Sequence, residues 1–293
     1  MRNTPGSGEA GAHRHIAVIG SGIAGLSAAW LLAPYHRVTL FEADADLGGL
    51  GTTFPWRDTH LEKFYHCFLP DDFALLPRVS ELGLDGQMLW RETKMGFMYQ
   101  KKIWPMNTPG DLLSFGPLNW IERVRMGLMG VRARFDGLAP SLDDITAETY
   151  VRKMVGDRAF EVMWKPLLSA KIGDHYGALP ALWLSSRMNR EKSSGPERKG
   201  CLPGGYRSLI DAFAKELAKR GVTIRLKARA QAIAQDAQGM TVTTQDGASE
   251  RFDFVVSTSP IGHFQQMTKG LDVPSSVRDL KLDYQGVVSA IFL

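Results

Sequence analysis

The sequence predicts an α/β fold in which two separated stretches of chain form a parallel sheet around an inserted α+β segment. Three observations predict it. Within residues 16–41 a short apolar strand, a glycine-rich turn, a helical stretch and a second apolar strand follow one another. That order is a βαβ unit, which implies parallel strands. Residues 93–199 differ in texture, holding eight of the 12 methionines and four of the 7 tryptophans. From about residue 207 the α/β pattern returns. With 293 residues the chain is long enough for two domains, each with its own core.

The elements follow in order. Residues 1–13 are rich in Gly, Ala and polar residues, a disordered lead-in without the apolar run of a secretory signal. Residues 16–19 are a strand, 26–32 a helix and 38–41 a second strand ending at Glu42, so 14–92 is the first part of a Rossmann-like nucleotide-binding domain. A hairpin is predicted over 95–99 and 103–106, with Lys101 and Lys102 at its turn. Helical stretches cover 118–135 and 147–164. The loop 191–199, with its Ser-Ser-Gly-Pro, is a linker, and 93–199 is read as the substrate or cap domain. An amphipathic helix spans 207–220, with Leu209, Ile210, Phe213 and Leu217 on one face and Gly221 at the C′ position. A strand at 222–226, a hairpin of 240–245 with 250–254 around Asp246-Gly247, and a strand at 255–257 complete the second part, 200–262. Residues 263–293 are expected to begin a substrate-domain sheet, with the apolar run 287–293 as a buried strand. A chain stopping inside such a strand reads as a fragment with its C-terminal part missing.

The turn between the first strand and helix is Gly20-Ser21-Gly22-Ile23-Ala24-Gly25, a G-x-G-x-x-G. Gly20 permits the tight turn, Gly22 lets the backbone approach a pyrophosphate, and Gly25 lets helix and strand pack closely. The helix N-terminus offers unpaired N–H groups to the phosphate. Glu42 stands where an acid accepts hydrogen bonds from ribose hydroxyls. Strand, helix, second strand and acid together point to a dinucleotide, without choosing FAD over NAD.

Composition excludes several alternatives. A formal net charge of +4, with no block of like charges, gives no footprint for nucleic acid. Cys67 and Cys201 make neither a disulfide framework nor a metal pattern, and are expected as reduced thiols in a cytoplasmic protein, with no metal bound. No apolar stretch approaches the ~20 residues that cross a bilayer. Peripheral membrane association needs only an amphipathic surface. Arg123, Arg125, Arg132 and Arg134 alternate with apolar residues on a predicted helix, either a solvated face or an attraction for anionic lipid.

Three further blocks carry a resemblance. Glu42-Ala-Asp-Ala-Asp-Leu-Gly48-Gly49, Leu202-Pro-Gly-Gly-Tyr-Arg-Ser-Leu209 and Phe252-Asp-Phe-Val-Val-Ser-Thr-Ser-Pro260 resemble, in order and spacing, the FAD-dependent amine oxidase / protoporphyrinogen oxidase superfamily of two-dinucleotide-binding-domain flavoproteins. Leu61-Glu62-Lys-Phe-Tyr-His66 most resembles the protoporphyrinogen-oxidase-like and phytoene-desaturase-like branch. The resemblance implies FAD, held by residues 20–25, Glu42, Ala43, Gly48, Gly49 and Leu50, with the Ala230 backbone at the adenine. It departs where Leu50 stands in place of a frequent arginine, and where Ser289 falls near a lysine position of amine oxidases. Members are also longer, by about one more domain's worth of chain.

The implied function is an FAD-dependent oxidase or dehydrogenase passing hydride from a bulky, largely apolar small-molecule substrate to flavin N5. Porphyrinogen-like, isoprenoid and amine substrates all remain open, as do the electron acceptor and the oligomeric state. The alternatives are a flavin-dependent sugar-nucleotide mutase of the UDP-galactopyranose mutase type and a non-catalytic truncated flavoprotein. His66 is the candidate proton carrier beside the flavin. Trp104, Trp120, Trp164, Met126, Met129 and Met163 are either plain core or the lining of a substrate chamber.

Overall fold

The computed structural model describes residues 13–136, 139–190 and 197–282, together with 284, 286 and 288–292. Most of the lead-in, residues 191–196 of the linker, and positions 287 and 293 lie outside the described residues. In chain order the structure contains strand β1 (His15–Ile19), helix α1 (Ile23–Leu32), strand β2 (Arg37–Phe41), a hairpin of β3 (Thr53–Trp56) and β4 (Thr59–Glu62), and helix α2 (Leu76–Glu81). Strands β5 (Leu89–Glu92), β6 (Gly96–Tyr99) and β7 (Lys102–Pro105) precede helices α3 (Pro109–Ser114), α4 (Trp120–Asp136), α5 (Ala147–Val155), α6 (Asp157–Ala159), α7 (Lys165–Ile172) and α8 (Ala181–Arg190). Then come β8 (Arg198–Cys201), α9 (Tyr206–Lys219), β9 (Thr223–Arg225), β10 (Ala230–Asp236), β11 (Gly239–Thr244), β12 (Ser249–Phe252), β13 (Phe254–Ser257), α10 (Ile261–Met267) and α11 (Ser275–Arg278).

The chain divides into two compact units. The first comprises the described residues of Met1–Phe68, Phe73–Leu89 and Cys201–Leu293. Its centre is a parallel sheet of order β13-β1-β2-β9. Ile19 pairs with Phe41 on one side and Ser257 on the other, and Phe41 pairs with Arg225, so the four C-terminal strand ends stand level. The strands are apolar on both faces, with Ala17, Val18, Val38 and Leu40 almost fully buried, as a sheet covered on both sides requires. Helix α9 buries Leu209, Ile210, Phe213 and Leu217, the face its 3.6-residue period marked out. It packs on α1, which buries Leu26, Ala29 and Trp30. The Trp30 ring lies 5.0 and 4.4 Å from the Arg78 and Arg220 guanidinium carbons. The hairpin predicted around Asp246-Gly247 is β11–β12, and β10, which the sequence did not signal, adds a third antiparallel strand. Ile233, Val242 and Phe252 of these strands share a core with Ala17, Ile19 and Phe41.

The second unit is Leu69–Asp72 with the described residues of Trp90–Gly200. Its hairpin β6–β7 turns at Gln100 and Lys101, both at positive φ, so Lys101 occupies the turn while Lys102 opens the second strand. Helix α4 starts two residues later than its apolar pattern suggested, because Asn119 and Glu122 cap each other reciprocally: Asn119 Oδ1 accepts the Glu122 N–H and Glu122 Oε2 accepts the Asn119 N–H. The single helix expected over 147–164 is instead α5, α6 and a π-helical turn at Phe160–Trp164. Gly156, at φ +92°, breaks it, although the apolar period runs on through Phe160 and Met163. The methionines and tryptophans weighed as a chamber are mostly core. Met126, Met129 and Met163 are buried, Trp104 and Trp164 pack against them, and Trp164 Nε1 lies 3.1 Å from Met126 Sδ. Trp120 is 71% exposed.

The sheet strand expected at 287–293 is corrected. The described residues from 279 to 292 form no helix or strand, and Val288 and Phe292 are almost wholly exposed. An apolar run becomes a strand only where a neighbouring strand supplies hydrogen-bond partners, and among the described residues none pairs with it.

Candidate functional site

The candidate site lies in the first unit. In an open parallel sheet, ligands bind outside the carboxyl ends of the strands. A cleft of about 1110 Å³ occupies that place, larger than the ~300–1,000 Å³ of ordinary small-molecule pockets. Its walls are built from residues immediately after β1, β2, β9 and β13.

The first wall is the glycine-rich turn. Gly20 takes φ +96°, its N–H bonds the Phe41 carbonyl at 2.8 Å, and Thr258 at the end of β13 closes over it, its hydroxyl donating to the Ile19 carbonyl at 3.0 Å. Gly25 is buried, and a Cβ there would overlap the Gly20 carbonyl oxygen, so this glycine serves the approach of α1 to the strand. Gly22 differs: its backbone is extended (φ −62°, ψ 172°) and a Cβ would meet nothing within 4 Å. It caps α1 without a side chain, and a helix N-terminus of this kind is where backbone N–H groups can receive an anion.

Glu42 ends β2. One carboxylate oxygen, Oε2, accepts the Ser21 backbone N–H at 2.9 Å and also the Ser21 hydroxyl; the other, Oε1, accepts the Asp44 N–H at 2.9 Å. The carboxylate is thereby fixed on the cleft wall, and Oε1 retains capacity for a further donor. Gly48 and Gly49 face the turn, the Gly48 N–H donating to the Ser21 carbonyl at 3.0 Å.

At the other side His66 and Tyr206 line the cleft with ring centroids 4.7 Å apart. Glu62 ties them together, Oε2 accepting the His66 backbone N–H at 2.8 Å and Oε1 the Tyr206 N–H at 2.7 Å. The His66 Nδ1 is 3.4 Å from Glu62 Oε2. The His66 backbone is thus fixed at the cleft by a carboxylate that also fixes the start of α9.

The structure brings Gly20, Ser21, Gly22, Ile23, Ala24, Glu42, Ala43, Gly48, Gly49, Leu50, Ala230 and His66 to this one cleft, and leaves Gly25 behind it as a packing residue. Sequence reasoning missed Tyr206, Arg229, Gln245 and His263 as lining residues. The signal that would have found some of them was positional: Arg229 follows the end of β9, and Gln245 is bonded to it through the backbone at 2.8 Å. Among the described residues no group of three or more His, Cys, Asp or Glu is placed to hold a metal ion.

A family model described as flavin containing amine oxidoreductase matches residues 23–293. Coproporphyrinogen III oxidase of Staphylococcus aureus (strain NCTC 8325 / PS 47) is 24% identical over 286 residues, covering 84% of this chain and 60% of that protein. The 15-cis-phytoene desaturase of Narcissus pseudonarcissus is 28% identical over 184 residues, 52% of this chain and 31% of its own. A crystal structure of a putative protoporphyrinogen oxidase from Exiguobacterium sp. 255-15 superposes with a TM-score of 0.62 at 20% identity, covering 88% of this chain and 62% of the other, a likeness of fold. The chain therefore spans 60% or less of the length of these curated relatives.

Proposed function

Since this chain belongs to the flavin containing amine oxidoreductase family, we propose that it binds FAD in the cleft outside β13, β1, β2 and β9 and serves the oxidation of a bulky, largely apolar substrate. The observation that carries the reading is Gly22. Neither its backbone conformation nor the space around it requires glycine, so what excludes a side chain there is a ligand lying against the backbone, as a pyrophosphate does.

Around that point the chain's residues divide by chemistry. Ser21, Gly22 and Ala24, with Gly48 and Gly49, present backbone to the phosphates. Glu42, held by Ser21 and Asp44, accepts from ribose hydroxyls. Ala230 stands at the adenine end. His66 brings an imidazole to the cleft wall beside Tyr206. Bound FAD supplies the hydride acceptor at N5. The choice of a bulky substrate is supported by relatives named for coproporphyrinogen III and 15-cis-phytoene.

The test is titration of apoprotein with FAD, followed by flavin fluorescence. Wild type should bind. Gly22→Ala should unfold within about 1 kcal/mol of wild type, since only an N-cap preference changes, yet bind FAD at least tenfold more weakly. Glu42→Ala should lose roughly ten- to a hundredfold, the worth of a charge-assisted hydrogen bond of about 1.5–3 kcal/mol. A wild-type affinity in Gly22→Ala would refute the assignment. Anaerobic bleaching of the bound flavin by coproporphyrinogen III, and none by small amines, is the expected substrate result.

A further inference from the structure

One corner of the cleft carries polar side chains that the fold itself does not use. Arg229 and Gln245 both line the cleft, and Arg229 is the only arginine or lysine among the described residues that do. Both are exposed, and neither side chain makes a hydrogen bond or ion pair among the described residues. Their backbone, by contrast, is fixed. The Ala228 N–H donates to the Glu42 carbonyl at 2.8 Å, and the Gln245 N–H donates to the Arg229 carbonyl at 2.8 Å. Ala230 pairs with Thr244 in antiparallel register, so Arg229 and Gln245 stand opposite one another one step before it, with side chains on one face. Ala228 and Ala230 pack against the core of Ala17, Ile19 and Phe41, while Arg229 between them is exposed.

With FAD placed as proposed above, on which this rests, Glu42 holds the ribose and the purine lies at the same corner. A purine needs a flat partner for its face and a matched donor–acceptor set for its edge. Ala43, Ala228 and Ala230 offer only methyl groups there. A guanidinium is planar, weakly hydrated and stacks on aromatic faces. A glutamine amide sets one donor beside one acceptor, the pair that meets the amino group of adenine and its neighbouring ring nitrogen. A phosphate contact suits Arg229 less well. Gly22 follows β1, whereas the segment at Arg229 follows β9 on the far side of β2, two strand spacings or ~10 Å away.

We propose that Arg229 and Gln245 determine the specificity of the cleft for adenine, the guanidinium lying on a face of the base while the amide reads its edge. The ligand class they select is an adenine nucleotide over its guanine counterpart, whatever group the other end carries. Guanine places an acceptor, O6, where adenine has its amino donor, and adds donors at N1 and N2 that a carboxylate would accept and a correctly turned amide would not match.

The experiment titrates apoprotein of the full chain with ADP, GDP and FAD by calorimetry. Wild type should favour ADP over GDP about tenfold, the worth of one well-matched contact to a base edge. Gln245→Glu, whose carboxylate only accepts, should lower the ADP-to-GDP preference roughly tenfold, a change that a merely structural role would not produce. Arg229→Ala and Arg229→Lys should each weaken ADP, GDP and FAD alike, by about tenfold, because lysine keeps the charge but loses the plane. Thermal midpoints should stay at the wild-type value, both positions being exposed. A wild type that binds FAD and ADP yet does not prefer ADP to GDP overturns the proposal and leaves the FAD assignment standing. So does an unchanged preference in Gln245→Glu, or full affinity in Arg229→Lys. A wild type that binds neither FAD nor ADP overturns the FAD assignment and this proposal with it.

Discussion

A methyl group placed on Gly25 overlaps the Gly20 carbonyl oxygen, whereas one on Gly22 meets nothing in the chain. The two glycines of one motif thus answer to different demands, one internal and one external. His15, on the same strand as this turn, shows a residue-scale effect of another kind. Its imidazole Nε2 lies 3.0 Å from the Thr39 hydroxyl, and burial, reinforced by the Arg37 guanidinium, holds its pKa below the ordinary value of 6.5. As pH falls through 6.5 the unfolded chain takes up a proton that the folded chain refuses, so stability declines until the lower folded value is passed. Asp253, held low chiefly by the His15 backbone N–H, contributes stability lost only in more acid solution, below the usual carboxylate value of 3.8. Thermal midpoints measured against pH should therefore drop just below pH 6.5 in wild type and stay flat there in His15→Gln. Equal slopes in the two proteins would show that His15 is not the group responsible.

At the scale of elements, Glu62 joins three of them. It ends β4, and its carboxylate accepts one N–H from the loop at His66 and one from the first residue of α9, where the helix dipole also favours an acid. Gly205, at φ +65°, leaves it room, since a Cβ there would overlap the carboxylate. Glu62→Ala removes both bonds from partly buried donors and should cost about 2–3 kcal/mol. Glu62→Gln, which keeps one acceptor, should cost less. Urea midpoints measure both, and an unchanged midpoint for the alanine variant would mean the tie contributes nothing. The amphipathic face of α9 and the apolar run of β1 were legible because a 3.6-residue period and a short apolar block each imply one element. The tie through Glu62 was not, because its partner Tyr206 lies 144 positions away. Strand β10 was missed because Ala-Gln-Ala-Ile-Ala-Gln-Asp has only Ile233 to bury and residues of weak strand preference. The break at Gly156 was hidden by an apolar period that continues on both sides of it.

For the whole molecule, the cleft is an assembly of segments that are far apart in the chain and close only because four strand ends stand level. Residues 19–24, 41–51, 228–231 and 258–263 contribute to one wall system, while α4 and the hydrophobic core around Phe160 belong to the other unit. The glycine-rich turn and Glu42 were readable as a site because they are adjacent in sequence. Arg229, Gln245 and His263 reach the cleft only through sheet order, which no local pattern encodes. This arrangement sets what ligand binding must do to backbone dynamics. A dinucleotide filling the cleft suppresses opening of every segment it bridges, and at a hundredfold excess over Kd it adds about 2.7 kcal/mol to the folded state. Amide hydrogen exchange with and without FAD should therefore slow together at the four segments, including 228–231 and 258–263, more than two hundred residues from the turn. Protection confined to residues 20–25 would mean that FAD touches the turn alone and that the level strand ends do not form a single site. Protection of all four, lost together in Gly22→Ala, would tie the whole cleft to the one glycine of the motif that the fold itself leaves free.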